Sequence, residues 1–170
     1  MLLPATIIAA VGALALGTSP VSSTYDAPSD TSTARVQAIK PSVVKGDCTA
    51  WVEVSSSWKG GARGDAAYKV DVVRWTMNFQ RWSPQSQAKL VVDGRRVATT
   101  SKTWESHAIE TAQCIGVAES MTLTLPASAV AKLARGRRAY VVVGKDRIDL
   151  SNLRVSALLN FVKSSQPAQR

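Results

Sequence analysis

A single histidine, His107, and two cysteines, Cys48 and Cys114, set narrow limits on the chemistry open to this chain. One histidine rules out a histidine-based metal cluster. A Ser/His/Asp triad would need His107 beside a nucleophilic serine, and no Gly-x-Ser-x-Gly turn occurs to present one. His107 therefore reads as an ordinary strand or loop residue. The twelve Asp and Glu are scattered, with no pair grouped for glycoside hydrolysis. Asp146 and Asp149, which flank Arg147, read as local charge pairing. No glycine motif that could cradle a phosphate is present. Arg63-Gly64-Asp65 is a tripeptide that adhesion receptors read, but three residues recur by chance and a Gly-rich loop accounts for them. The expectation is a protein with no cofactor, no metal and no catalytic residue.

Binding chemistry is better represented. Net charge is +9, from 21 Lys and Arg against 12 Asp and Glu, and such a balance favours anionic surfaces such as phospholipid headgroups, acidic glycans or nucleic acid. The five tryptophans are Trp51, Trp58, Trp75, Trp82 and Trp104, and two of them stand beside arginines, as Arg74-Trp75 and Arg81-Trp82. Interleaved aromatic and basic side chains can stack sugars or bases while pairing with their charges. Arg74, Trp75, Arg81 and Trp82, with Arg95 and Arg96, form the candidate anion/aromatic binding set. The competing reading puts Trp75, Met77 and Phe79 on the core face of one strand and leaves Trp58 and Trp82 as the exposed tryptophans.

The elements that must position these residues are mostly strands. Cys48–Ser55 alternates apolar and polar, as a half-buried strand does. A Gly-rich loop over 59–65 separates it from the longest strand-like run, Tyr68–Trp82. In that run Tyr68, Val70 and Val72 alternate with Lys69 and Asp71, then the apolar positions move to 73, 75, 77 and 79. A face of period two changes sides only by an inserted residue, so a β-bulge is expected near Val72-Val73. Asp93-Gly94 between two apolar arms is a strong hairpin signal. Further strands are expected over 102–109, over Met121–Leu125 and over Arg138–Val143, the last turning at Gly144–Asp146 into a short return. Pro126–Gly136 carries a proline near its start, Lys132 and Arg135 near its end and a glycine just past it, so a helix is expected there. Leu153, Ala157, Leu158, Phe161 and Val162 fit a second helical face. The fold class is mainly β: a single antiparallel β-sandwich or barrel-like domain with one or two short helices near the C-terminus.

The ends set the compartment. Residues 1–23 hold a short apolar run followed by small residues, with Val21-Ser22-Ser23 fitting a cleavage site, and read as a signal peptide. The run is shorter than the ~20 residues a bilayer span requires, so no transmembrane span is expected in the mature chain. Residues 24–45, rich in Ser, Thr, Ala and Pro, read as a flexible lead-in, 46–163 as the β-rich domain and 164–170 as a disordered tail. In an oxidising compartment two cysteines default to one bond, and Cys48–Cys114 would close a loop of about 66 residues, stabilising by roughly 4 kcal/mol on the chain-entropy model.

Several segments then follow an order found in one group of exported proteins. These are Val92-Asp93-Gly94, Cys114-Ile-Gly-Val-Ala, the helix Ala127–Leu133 ending in Arg135-Gly136-Arg137, the strand Ala139–Val143, and Ile148–Leu158. Over roughly residues 90–162 the chain resembles the invasion-associated locus B family of exported proteobacterial proteins. It departs from that pattern in having only Cys114 where the family carries a close cysteine pair, and Arg154-Val155 where it carries Gly-Phe. The resemblance implies a periplasmic or surface protein linked to host-cell entry or envelope function, and no catalytic residue. The functional expectation is an exported, non-enzymatic protein that binds an envelope or host-surface partner. The alternative is a binder of anionic polymer, acidic glycan ahead of nucleic acid, through a basic and aromatic strand face.

Overall fold

The computed structural model describes residues 21–40, 47–60, 66–77, 80–110 and 115–164. The chain runs β1 (Ser22–Asp26), β2 (Thr31–Lys40), β3 (Asp47–Lys59), β4 (Ala67–Thr76), β5 (Ala88–Val92), β6 (Arg95–Val97), β7 (Ser101–Glu110), β8 (Ile115–Leu125), α1 (Ala127–Arg135), β9 (Ala139–Val143), β10 (Asp146–Asp149) and α2 (Val155–Ser164). Among the described residues, ten strands form two antiparallel sheets, one of six strands in the order β1-β2-β3-β4-β8-β7 and one of four in the order β10-β9-β5-β6. The larger sheet is not closed into a barrel; β1 and β7 are its two edges. The protein is thus mainly β with two short helices near its C-terminus.

Alternation builds the core. Cross-strand register aligns Val36, Val54, Val70 and Leu123 in one row and Val52, Val72 and Met121 in the next, and all seven are fully buried. Each such side chain contributes about 1.5–3 kcal/mol through burial. Against this face α2 packs on β2 and β3 while α1 packs on β4, β8 and α2. Leu90, Val92, Val141, Val143 and Ile148 of the smaller sheet join the same core.

The lead-in expected over 24–45 is corrected in part. Residues 31–40 form a strand paired to β3 along its whole length, with Ala34 and Val36 fully buried. Its inward residues are small and its outward ones are Thr33, Arg35 and Gln37, so its apolar signal was thin. Ser and Thr are also at home on a sheet face that looks to solvent. Of the leader expected over 1–23, residues 1–20 lie outside the described residues; Ser22 and Ser23 begin β1, pairing with Arg35 and Ala34. Residues 165–170 of the expected tail also lie outside. No helix among the described residues is long and apolar enough to cross a membrane.

The bulge expected at Val72-Val73 is also corrected. From Thr49↔Trp75 to Ser57↔Ala67 the β3–β4 register is unbroken, and the one shift lies at Asp47/Thr49. The strand keeps its faces, and its chemistry trades sides: Arg74 and Thr76 continue the inward row of Tyr68, Val70 and Val72, while Val73 and Trp75 point outward. An inward arginine is possible because β8 places Glu119 directly opposite it.

Turn chemistry follows the sequence closely. Asp93 and Gly94 both have positive φ, 49° and 79°, as a type I′ hairpin turn requires. Helix α1 starts after Pro126 and ends at Gly136, as expected, but Gly136 is extended, with φ −67° and ψ 141°. Its lack of a side chain serves close packing instead, because a Cβ there would overlap Val92 Cγ1.

Candidate anion-binding cleft

The candidate residues divide sharply by burial. Arg74 is 2% exposed and Trp82 is 2% exposed, so neither is available on a binding face; that part of the expected basic and aromatic strand face is corrected. Arg74 pairs with fully buried Glu119 at 3.6 Å, and its guanidinium carbon sits 5.6 Å from the Trp82 ring centroid. Glu119 also accepts from the backbone N–H of Arg81 and, at 2.8 Å, of Trp82. Asp146, at the start of β10, accepts from the Trp82 indole at 2.8 Å and from Arg81 at 2.9 and 3.0 Å. Residues 80–87 carry the chain from the larger sheet to the smaller. One carboxylate from each sheet therefore pins this crossover, and Trp82 fills the space between them. Buried charges persist only when paired and hydrogen-bonded. The Glu119 and Asp146 carboxylates meet both conditions, while buried Arg74 is ion-paired to Glu119 without a hydrogen bond from its Nε or Nη1.

The other aromatic expectations shift too. Trp58 is buried rather than exposed, and Met77 is 64% exposed rather than core; Phe79 lies outside the described residues. Trp75 is half-buried on the outer face of the larger sheet, edge-to-face with Trp51 at 5.5 Å. Cys48, at the start of β3, is disulfide-bonded. Cys114, with Arg63-Gly64-Asp65, lies outside the described residues.

Arg95 and Arg96 are where a site takes shape. Both are exposed on the β5–β6 hairpin and line a cleft of about 760 Å³ between that hairpin and α1. The helix contributes Ser128, Ala131, Lys132 and Arg135, spaced i, i+3, i+4, i+7, which places them on one helical face. The opposite face holds Ala129, Val130 and Leu133 in the core, so the amphipathic pattern that docks the helix also turns its cations to the hairpin. Gly136 lets the end of α1 approach β5. Asp93, the only acid lining the cleft, is committed elsewhere: its carboxylate accepts from the backbone N–H of Arg137 and of Arg138, the latter at 2.9 Å. That bond staples the hairpin tip to the residues after α1. Arg95, Arg96, Lys132 and Arg135 form no ion pair with any described residue.

Arg96 also belongs to the outer face of the smaller sheet. Register places it beside Val91, which pairs with Tyr140. Lys89 and Arg147 flank Val142 on the same face. Arg147 lies over the Tyr140 ring at 3.7 Å, so the one aromatic on that face already carries a cation. Asp149, opposite Tyr140, is the acid on this face, and Arg96 links the face to the cleft. Lys132 and Arg135 were assigned to the helix C-terminus, where cations complement the dipole; their second role was legible only in the spacing of Ser128, Ala131, Lys132 and Arg135.

A pair of acids also emerges that the sequence had scattered. Glu53 and Asp71 are direct cross-strand partners on the outer face of the larger sheet. Burial pushes the Glu53 carboxyl up, an effect partly offset by the Arg35 guanidinium at 3.7 Å. Burial likewise raises Asp71, offset by the hydrogen bond that Thr122 donates. Like charges directly opposite each other oppose sheet stability. No group of three or more metal-ligating side chains occurs among the described residues.

Comparison of the chain with protein-family models, with curated proteins and with solved structures returned no match.

Proposed function

We propose that this chain is an exported, non-enzymatic protein of the periplasm or cell surface that binds an acidic glycan. Its contact is the cleft between the β5–β6 hairpin and α1, extended over the outer face of the smaller sheet. The observation that carries this reading is the four cations Arg95, Arg96, Lys132 and Arg135, unpaired among the described residues, around a cleft whose lining acid Asp93 is held by backbone amides. Unpaired cations gathered on one concave surface create a positive potential that concentrates anions. Arginine forks match carboxylate and sulfate oxygens in a bidentate fashion. The surface extends past the cleft through Lys89 and Arg147, which favours a chain-like ligand over a small ion. Single-stranded nucleic acid would want free aromatic faces for its bases, and Tyr140 is capped by Arg147; this ranks glycan first. Export rests on the leader-like residues 1–23 and agrees with disulfide-bonded Cys48. An envelope role is also what the resemblance to the invasion-associated locus B family implies, though the glycan reading does not depend on it.

The test is titration of the protein with a sulfated glycan such as heparin at several ionic strengths. Binding that weakens steeply with salt, and falls about tenfold or more (roughly 1.4 kcal/mol) in R95E/R96E, supports the reading. Binding that ignores both salt and these substitutions, or tighter binding to single-stranded nucleic acid than to glycan, overturns it.

A further inference from the structure

Strand β7 is a ten-residue edge with one side of its backbone unpaired. It pairs with β8 without a break from Ser101↔Thr124 to Glu110↔Ile115, and no described strand lies beyond it. The other edge of the same sheet, β1, has five residues, and the smaller sheet ends in β6 with three and β10 with four. The sequence Ser101–Glu110 contains no Pro and no Gly, and most of its residues are exposed. Long, straight, open edges invite another strand, and proteins usually blunt them with bulges, prolines, brevity or charged side chains. Of these devices β7 has only charges, Lys102, Glu105 and Glu110.

The residues along this edge complement themselves. We propose that β7 pairs with β7 of a second copy of this chain, antiparallel about a two-fold axis through Ser106, joining two six-stranded sheets into one. In that register Lys102 faces Glu110 of the other copy, Glu105 faces its His107, Thr103 faces Ile109 and Trp104 faces Ala108. Every residue keeps its own face, since a register change of one would send each side chain to the other side. Neighbouring registers lose the match. Centring between Glu105 and Ser106 sets Lys102 against Ile109, and centring on Glu105 sets two glutamates against each other. Centring on His107 sets Trp104 against Glu110. An isologous contact repeats each pair twice, so the dimer contains two Lys102–Glu110 pairs and two Glu105–His107 pairs. Lys102 already donates to the carbonyls of Pro84 and Ser86, both at 2.8 Å. Those bonds fix its side chain near the edge and leave the third ammonium proton for the incoming Glu110. Glu110, Glu105 and His107 have no ion-pair partner among the described residues.

This proposal is independent of the glycan reading. Sedimentation velocity of the full chain over a wide concentration range, with circular dichroism to confirm folding, tests it. The wild type should associate to a dimer. E110K and K102E should each weaken the dimer about tenfold or more, and K102E/E110K should recover part of that loss, because the reversed pair regains the attraction while Glu at 102 forgoes the bonds to the Pro84 and Ser86 carbonyls. The Glu110 side chain makes no bond to any described residue, so loss of dimer in E110K is not a loss of fold. A chain that stays monomeric throughout overturns the proposal. So does a dimer indifferent to both single reversals, or one that K102E/E110K weakens more than either single reversal.

Discussion

Arginine is used in two opposite ways in this molecule. Around Trp82, Arg74 is buried against Glu119, and Arg81 is bonded to Asp146. Around the cleft, Arg95, Arg96, Arg135 and Lys132 are exposed, close together and unpaired. The first cluster holds the crossover between the two sheets, and its charge is spent on Glu119 and Asp146, although the Arg81 side chain is 43% exposed. The second adds self-repulsion and little cohesion, so its charge is free to act on something outside. A cation's role here is set by whether an acid has been placed opposite it.

The largest effect that would break this contrast is at Glu119. Glu119→Ala should cost about 3–5 kcal/mol, because it leaves the Arg74 charge buried without its partner and frees the N–H groups of Arg81 and Trp82. Chemical denaturation measures the loss, and a cost under about 1 kcal/mol would mean the network is incidental. The double replacement Arg74→Met with Glu119→Leu sharpens the point. With both charges removed it should recover the part of the loss due to the unpaired Arg74 charge, while the Arg81 and Trp82 N–H groups still lack their acceptor. The cleft should behave the other way. R95E/R96E should leave stability within about 0.5 kcal/mol of wild type while weakening glycan binding as described above; a large drop in stability would mean these arginines are structural.

The smallest expected effect lies on the outer face of the larger sheet, where Asp71 and Glu53 stand opposite each other without a full set of cations. The folded Asp71 carboxyl sits above its ordinary value of 3.8 because of burial, so the folded chain holds that proton more tightly than the unfolded one. Its contribution to stability is therefore greatest below that value and is lost as pH rises through the elevated one. Asp71→Asn should stabilise the protein by about 0.5 kcal/mol at pH 7, with the gain vanishing in acid below the ordinary carboxylate range. Melting curves across pH report it, and a gain that persists in acid would point to a cause other than ionisation.

Much of the fold was legible because its signals are local. Asp93-Gly94 specifies a hairpin since both residues tolerate positive φ, and Pro126 to Gly136 brackets a helix whose apolar face repeats every three to four residues. Sequence and structure part where an apolar pattern does not report a contact. Thr31–Lys40 reads as part of a lead-in because its stretch is rich in Ser, Thr and Ala with no apolar period, and its inner face is marked by the small residues Ala34, Val36 and Ala38. The apolar shift at Val73 mimics a bulge, because Arg74 stays inward once paired with Glu119. Trp58 and Trp82, expected at the surface, are buried; Trp82 is enclosed by groups from two different sheets.

By itself, then, the sequence determined the mainly β class, its turns, its two helices and a net positive charge, all properties of short stretches or of composition. Tertiary structure alone decided which cations are neutralised and which are free. Arg74 meets Glu119 across 45 positions of sequence because β8 lies beside β4, and Asp146 reaches Trp82 from the other sheet. The cleft joins a hairpin to a helix about 30 residues later. A pairing between charges is a distance in space, and strand order, which no local pattern encodes, is what sets that distance.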